Sequence, residues 1–201
     1  MRSLGRGLVT ALLFTTLVGA QGRVTTPKEE LGFNFGDDYQ LANYKQIAGY
    51  WRKLAGQSNR IVVQDIGKTS EGRPHLMAIV TSPDNHKNLA RYKEIAARLA
   101  RARGLTDDQA RTLAREGKAV VWIDFGLHST EVAHGQVSSE AEWTIATGET
   151  EEIRRIRDQV ILVTVHVMNP DGLDIVANWY RANVGTPHET SPLPVLYQKH
   201  A

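Results

Sequence analysis

"KAVVWIDFGLHSTEVAHGQ", residues 118–136, joins a dense apolar run to a polar segment in which His128 and Glu131 stand three residues apart. The run has the length and content of a β-strand buried on both faces of a sheet. The stretch that follows, "EVAHGQVSSEAEWTIATG", reads as a helix. A buried strand that feeds a helix through a short polar loop is the repeating unit of α/β folds. In those folds ligands bind outside the carboxyl ends of the strands, and the His and Glu stand at that position.

The same unit recurs on either side. "RIVVQDIG" and "HLMAIVTS" are strand-like runs joined by "KTSEGRP", whose Gly, Ser and Pro mark a turn. "VILVTVHVMNPDG" reads as a second buried strand ending in a turn. Between them lie helical patterns. Leu41, Tyr44, Ile47, Ala48, Trp51 and Leu54 repeat at helical spacing over 39–54, and Asn85–Arg103 does so through Leu89, Tyr92, Ile95, Ala96 and Leu99. Thr106 opens "DDQARTLAREG", and "ETEEIRRIRDQ" is also helical in pattern. Alternating strands and helices without a repeat or an interdomain linker predict an α/β domain. The expected architecture is three-layer, α/β/α, around a mixed, partly parallel sheet.

Composition narrows the function. Residues 1–20 carry Arg2 and Arg6, an apolar run from Leu8 to Val18, and the small-residue pattern Val18-Gly19-Ala20. They read as a secretory signal peptide, too short in its apolar run to span a bilayer. Residues 21–201 are then the mature chain, with a secreted or periplasmic destination. Loss of residues 1–20 removes two arginines and no acid, so the 24 basic residues fall to 22 and match the 22 acidic ones. Such a balance gives no electrostatic case for binding nucleic acid or, after cleavage, a membrane. With no Cys, the chain has no disulfide framework and no thiolate ligand. Any metal is held by His, Glu or Asp.

His128 offers an imidazole nitrogen and Glu131 a carboxylate, two of the ligand types found at catalytic zinc sites with two His and one Glu. Metal ligation and an ordinary polar loop both account for the pair at this point. On 100° per helical residue, His134 lies 240° round from His128 and faces elsewhere. His166 falls within a strand and reads as a core residue, while His75, His86, His188 and His200 lack local partners.

Three blocks in order resolve the choice: "IGKTSEGRPHLMAI", "WIDFGLHSTEVAHGQ" and "VHVMNPDGLD". Over residues 39–185 the chain resembles the amino-terminal half of the catalytic domain of zinc metallocarboxypeptidases of the carboxypeptidase A type. The resemblance implies a secreted Zn²⁺-dependent peptidase that acts on a peptide or protein substrate, on an eight-stranded mixed sheet that is incomplete in this chain. It makes His128 and Glu131 zinc ligands and places Arg181 among the substrate-binding arginines. Glu71 and Arg73 match a turn that marks the fold, and Thr130 stands where many relatives have Arg. The family's third zinc ligand, its carboxylate-gripping Asn-Arg pair and its general base lie further along than this sequence reaches. Little activity is therefore expected of residues 1–201 alone. Two other functions share the scaffold: a non-catalytic secreted module that binds peptides or proteins, and a zinc amidase or deacylase.

Overall fold

A computed structural model describes residues 23–195; the leader expected over 1–20 lies outside the described residues. Helix α1 (Pro27–Leu31) is opened by a reciprocal Thr26–Glu29 cap and stopped by Gly32 at φ 82°. Asn43 and Gln46 form the same kind of cap at the start of α2 (Tyr44–Gln57), five residues later than the helix expected from 39, and α2 buries Tyr44, Ile47, Ala48, Trp51 and Leu54 along one face. Strands β1 (Ile61–Lys68) and β2 (Pro74–Val80) pair antiparallel, with a bulge between Asp65 and Gly67.

The next helical region departs from expectation. Residues 85–103 form not one helix but parts of two, α3 (Pro83–Lys87) and α4 (Leu89–Arg101). The Ser82 hydroxyl caps α3 with Pro83 at its first position, and Asn88, at φ −107° and ψ 11°, breaks the run before α4 begins. Helix α5 (Asp107–Glu116) has the expected Thr106 cap. Strand β3 (Ala119–Asp124), helices α6 (Val132–Thr147) and α7 (Glu151–Gln159), strand β4 (Val160–Val165) and helix α8 (Pro170–Asn183) complete the order. The segment read as a turn, Asn169–Gly172, is in fact the start of α8: Asn169 caps it and Pro170 occupies the first turn.

The four strands form one mixed sheet in the order β1-β2-β4-β3, with β3 and β4 parallel and the other pairs antiparallel. Leu76, Ala78 and Val80 of β2 join the α2 face, Ala146 of α6 and Leu173 of α8 in the main core. On the opposite face, Leu89, Ala90 and Lys93 of α4 line a cleft with Ile79, Ile161 and Val163. Helices thus lie on both sides of the sheet, the expected three-layer α/β/α arrangement.

Strand β3 is the exception to the burial expected of it. All six of its residues are exposed, Val120 at 53% and Trp122 at 54%. The cause is cover: β3 packs substantially only against its neighbour β4, and no helix closes over its faces among the described residues, whereas β1, the other end strand, still buries Ile61.

The core on the α2 side is not wholly apolar. His166, just beyond β4, is fully buried between the rings of Tyr44 and Trp51, with Nδ1 3.2 Å from the carbonyl of Leu76. Burial drives its pKa down to about 3, so the ring is neutral. Glu142 of α6 is also buried, and its Oε2 has no protein partner. Burial raises its pKa to about 7, with Thr164 acting the other way.

Candidate metal centre

The loop after β3 is built jointly with the loop after β4. Phe125 N–H donates to the Val165 carbonyl at 2.9 Å, and Met168 and Asn169 return bonds to the carbonyls of Phe125 and Gly126 at 2.7 and 3.0 Å. The parallel ladder therefore continues past both strands and brings "GLHSTE" against "NPDG". Gly126 has φ 58°, and a Cβ there would meet Val167 Cγ1 at 3.2 Å and the Gly135 backbone at 3.3 Å. The chain needs glycine at this point to turn while packed against α6.

Beyond Gly126, His128 and Glu131 project outward, their side chains 53% and 51% exposed, with His128 Nδ1 3.4 Å from Glu131 Oε2. Donor atoms on a tetrahedral zinc with bonds of about 2.0–2.1 Å stand about 3.3–3.4 Å apart. The pair is spaced as two neighbouring ligands would be. Its donor set, one imidazole and one carboxylate, is also a zinc set.

His134 does not face away as 100° per residue implied. Its Nδ1 is 3.5 Å from the same Glu131 Oε2. The path from His128 to His134 is not one helix: residues 128–130 turn, Glu131 at φ −86° and ψ 57° is the non-helical cap, and α6 begins only at Val132. Rotation at 100° per residue therefore does not apply across Glu131, and both imidazoles come within reach of its carboxylate. Even so, among the described residues no group of three His, Asp or Glu side chains is assembled to hold a metal. The structure supplies a pair, with a second imidazole on its far side.

A family model for zinc carboxypeptidases matches residues 47–190, most of the chain, and takes in the whole of this region. The chain belongs to the zinc carboxypeptidase family. Among solved structures, thrombin activatable fibrinolysis inhibitor matches over 78% of this chain with a TM-score of 0.52 at 13% identity, which establishes the shared fold. Carboxypeptidase A from Helicoverpa armigera matches over 72% of this chain (TM-score 0.46, 16% identity), and a metallo-carboxypeptidase from Burkholderia cenocepacia over 66% (TM-score 0.45, 20% identity). The chain spans 33%, 31% and 28% of those three chains, about a third of their length. Curated protein sequences gave no match.

Two motifs that carried the zinc carboxypeptidase resemblance prove to be one physical unit. Asp171 of the NPDG segment accepts hydrogen bonds from Thr69 Oγ1 and Arg73 Nη1, both at 2.7 Å, and from Glu71 N–H at 3.1 Å. Asp174 accepts from Arg73 Nε at 2.7 Å and from the first N–H of α2, on Tyr44, at 2.8 Å. Burial acts to raise the Asp171 pKa, yet the Thr69, Arg73 and Glu71 donors hold it below the ordinary carboxylate value. The SEGR turn and the start of α8 are therefore clamped together. In the sequence they are about 100 residues apart, and no local pattern links them.

Arg181 lies in the last turn of α8, where its Nη1 donates to Gln46 Oε1 at 3.0 Å. Eleven residues at 1.5 Å each put it about 17 Å along the helix from Pro170. The helix end that touches the His and Glu loop is thus the opposite one.

Proposed function

We propose that this chain is the amino-terminal part of the catalytic domain of an exported zinc peptidase, with His128 and Glu131 as zinc ligands. The observation that carries this reading is the 3.4 Å approach of His128 Nδ1 to Glu131 Oε2 at the carboxyl end of β3, in a chain of the zinc carboxypeptidase family. His128 offers a ring nitrogen lone pair and Glu131 a carboxylate oxygen. Zinc bound there supplies Lewis-acid polarisation of a peptide carbonyl and a water acidic enough to ionise near neutral pH. Arg181 is assigned to binding the substrate by the family resemblance, at a point away from the pair, since it lies at the far end of α8 and donates to Gln46 Oε1. Residues 1–20 direct export.

Catalytic zinc sites use three protein ligands and an open position. His128 and Glu131 supply two, and no general base is assigned in this chain. Residues 1–201 alone are accordingly expected to show little or no peptidase activity. The test is zinc stoichiometry and affinity of the chain beside His128→Ala and Glu131→Ala, with hydrolysis of carboxy-terminal residues measured in parallel. About one zinc, lost in both variants, with negligible hydrolysis is the expected result. Zinc binding that both variants retain would refute the ligand assignment. Zinc-dependent hydrolysis by the parent chain would refute the expected inactivity.

A further inference from the structure

Within Leu127–His134 only one residue is buried: Ser129, 3% exposed between two half-exposed candidate ligands. Its surroundings are unusually specific for a small polar side chain. A Cβ built on Gly172 would lie 1.8 Å from Ser129 Oγ and 2.8 Å from Ser129 Cβ, so any side chain at 172 must displace Ser129. Asn169 Nδ2 donates to Ser129 Oγ at 3.2 Å, while the same side chain accepts the Gly172 N–H at 3.0 Å and the Asn169 N–H reaches the Gly126 carbonyl at 3.0 Å. The cap residue of α8 thus grips the loop at 126 and at 129. The post to which it is fixed is rigid, because Asp171 next to it is held by Thr69, Glu71 and Arg73.

We propose that Ser129 is the positioning residue of the metal loop, and that the Asn and Gly of NPDG serve in this chain to seat Ser129. This rests on the reading of His128 and Glu131 as zinc ligands. A metal site needs its ligands held to about 0.5 Å, yet the two exposed side chains have no buried packing of their own. Ser129, one residue after His128 and two before Glu131, is where the loop meets fixed structure. Its hydroxyl sets the height of the loop above α8, and the absence of a side chain at Gly172 allows that close approach.

The test uses the full chain with Zn²⁺ in competition with a chelator, and Co²⁺ as a spectroscopic probe of ligand geometry. Ser129→Ala is expected to weaken zinc binding ~10-fold, in the range of lost supporting contacts at metal sites, and to change the Co²⁺ absorption band while circular dichroism stays parental. Parental affinity and an unchanged Co²⁺ band in Ser129→Ala, where His128→Ala has lost both, overturn the proposal and leave the zinc reading intact. A parent chain that binds no better than His128→Ala overturns the zinc reading itself, and the proposal with it. If Ser129→Ala fails to fold, Gly172→Ala decides, since its Cβ pushes into Ser129 Oγ and Asn169 Nδ2 and unseats the loop while Ser129 itself is kept. Weakened binding in folded Gly172→Ala supports the seating of Ser129, and parental binding overturns it.

Discussion

Strands β3 and β4 lie side by side in parallel register over six residues each, "AVVWID" against "VILVTV", yet every residue of β3 is exposed and none of β4 is. Their composition does not explain the difference. Strand β4 lies between β2 and β3 and has α7 packed against it, whereas β3 packs substantially only against β4 among the described residues. Burial is a property of a strand's place in the sheet, and an apolar run reports only that a strand can be buried. The contrast continues beyond both strands. The exposed strand leads into the candidate ligands, and the buried one leads into His166 and the Asn169–Gly172 seat that holds their loop.

The sharpest way to break this comparison is to cut the same kind of side chain from each strand. Ile161→Ala in β4 is expected to cost about 2–5 kcal/mol, the range for emptying a packed aliphatic site. Val121→Ala in β3 is expected to stay within about 0.5 kcal/mol. Equal costs in urea melts would mean that β3 is packed in solution.

A second test exploits the buried acid and base on the α2 side. A carboxyl raised from 4.5 to about 7 makes the folded state bind more protons than the unfolded one between those values, so Glu142 lowers stability as pH rises through that window. His166, lowered from 6.5 to about 3, does the reverse: its neutral form is favoured by folding, and stability is lost as pH falls below 6.5. The two slopes oppose one another between 4.5 and 6.5. Stability should be nearly flat there with respect to these groups. Glu142→Gln should raise stability at pH 8 by up to about 3 kcal/mol, from 1.36 kcal/mol per pKa unit, and by little at pH 4. A gain of the same size at both pH values would show that the carboxyl's charge is not the cause.

The smallest effect on folding is expected at Trp122. Trp122→Lys on the exposed edge should change stability by less than about 0.5 kcal/mol while reducing self-association, because unpaired apolar edges template pairing with other chains and lysine blunts them. Sedimentation velocity on both proteins measures this. Unchanged association would place the sticky surface elsewhere.

Much of this was legible in the chain. The Thr106 cap announced α5, since capping is local chemistry; the Asn43–Gln46 cap went unread, so the helix expected from 39 in fact starts at Tyr44. The resemblance carried by the three motif blocks led to the family and to the mixed sheet. What escaped was non-local or rested on a wrong local assumption. Asn169-Pro170 is a helix start that sequence alone could have yielded, because Asn suits the cap and Pro the first turn; reading it as a turn hid the beginning of α8. His134 was misplaced by imposing α-helical rotation across Glu131, where the chain turns before α6 begins at Val132. Ser129 has no sequence signature, since its burial comes from Gly172, 43 positions away, approaching too closely for any Cβ.

The exposure of Trp122 makes the molecule its own optical gauge. Of the four tryptophans, Trp51 is fully buried against His166, Trp143 and Trp179 are partly covered, and only Trp122 is open to water, its indole N–H turned to Asp124. Indole emission moves to shorter wavelength when water is excluded. A strand or partner that closes over β3 will therefore announce itself as a blue shift from Trp122, and as a loss of the part of bromide quenching that its exposed indole contributes, without any added label.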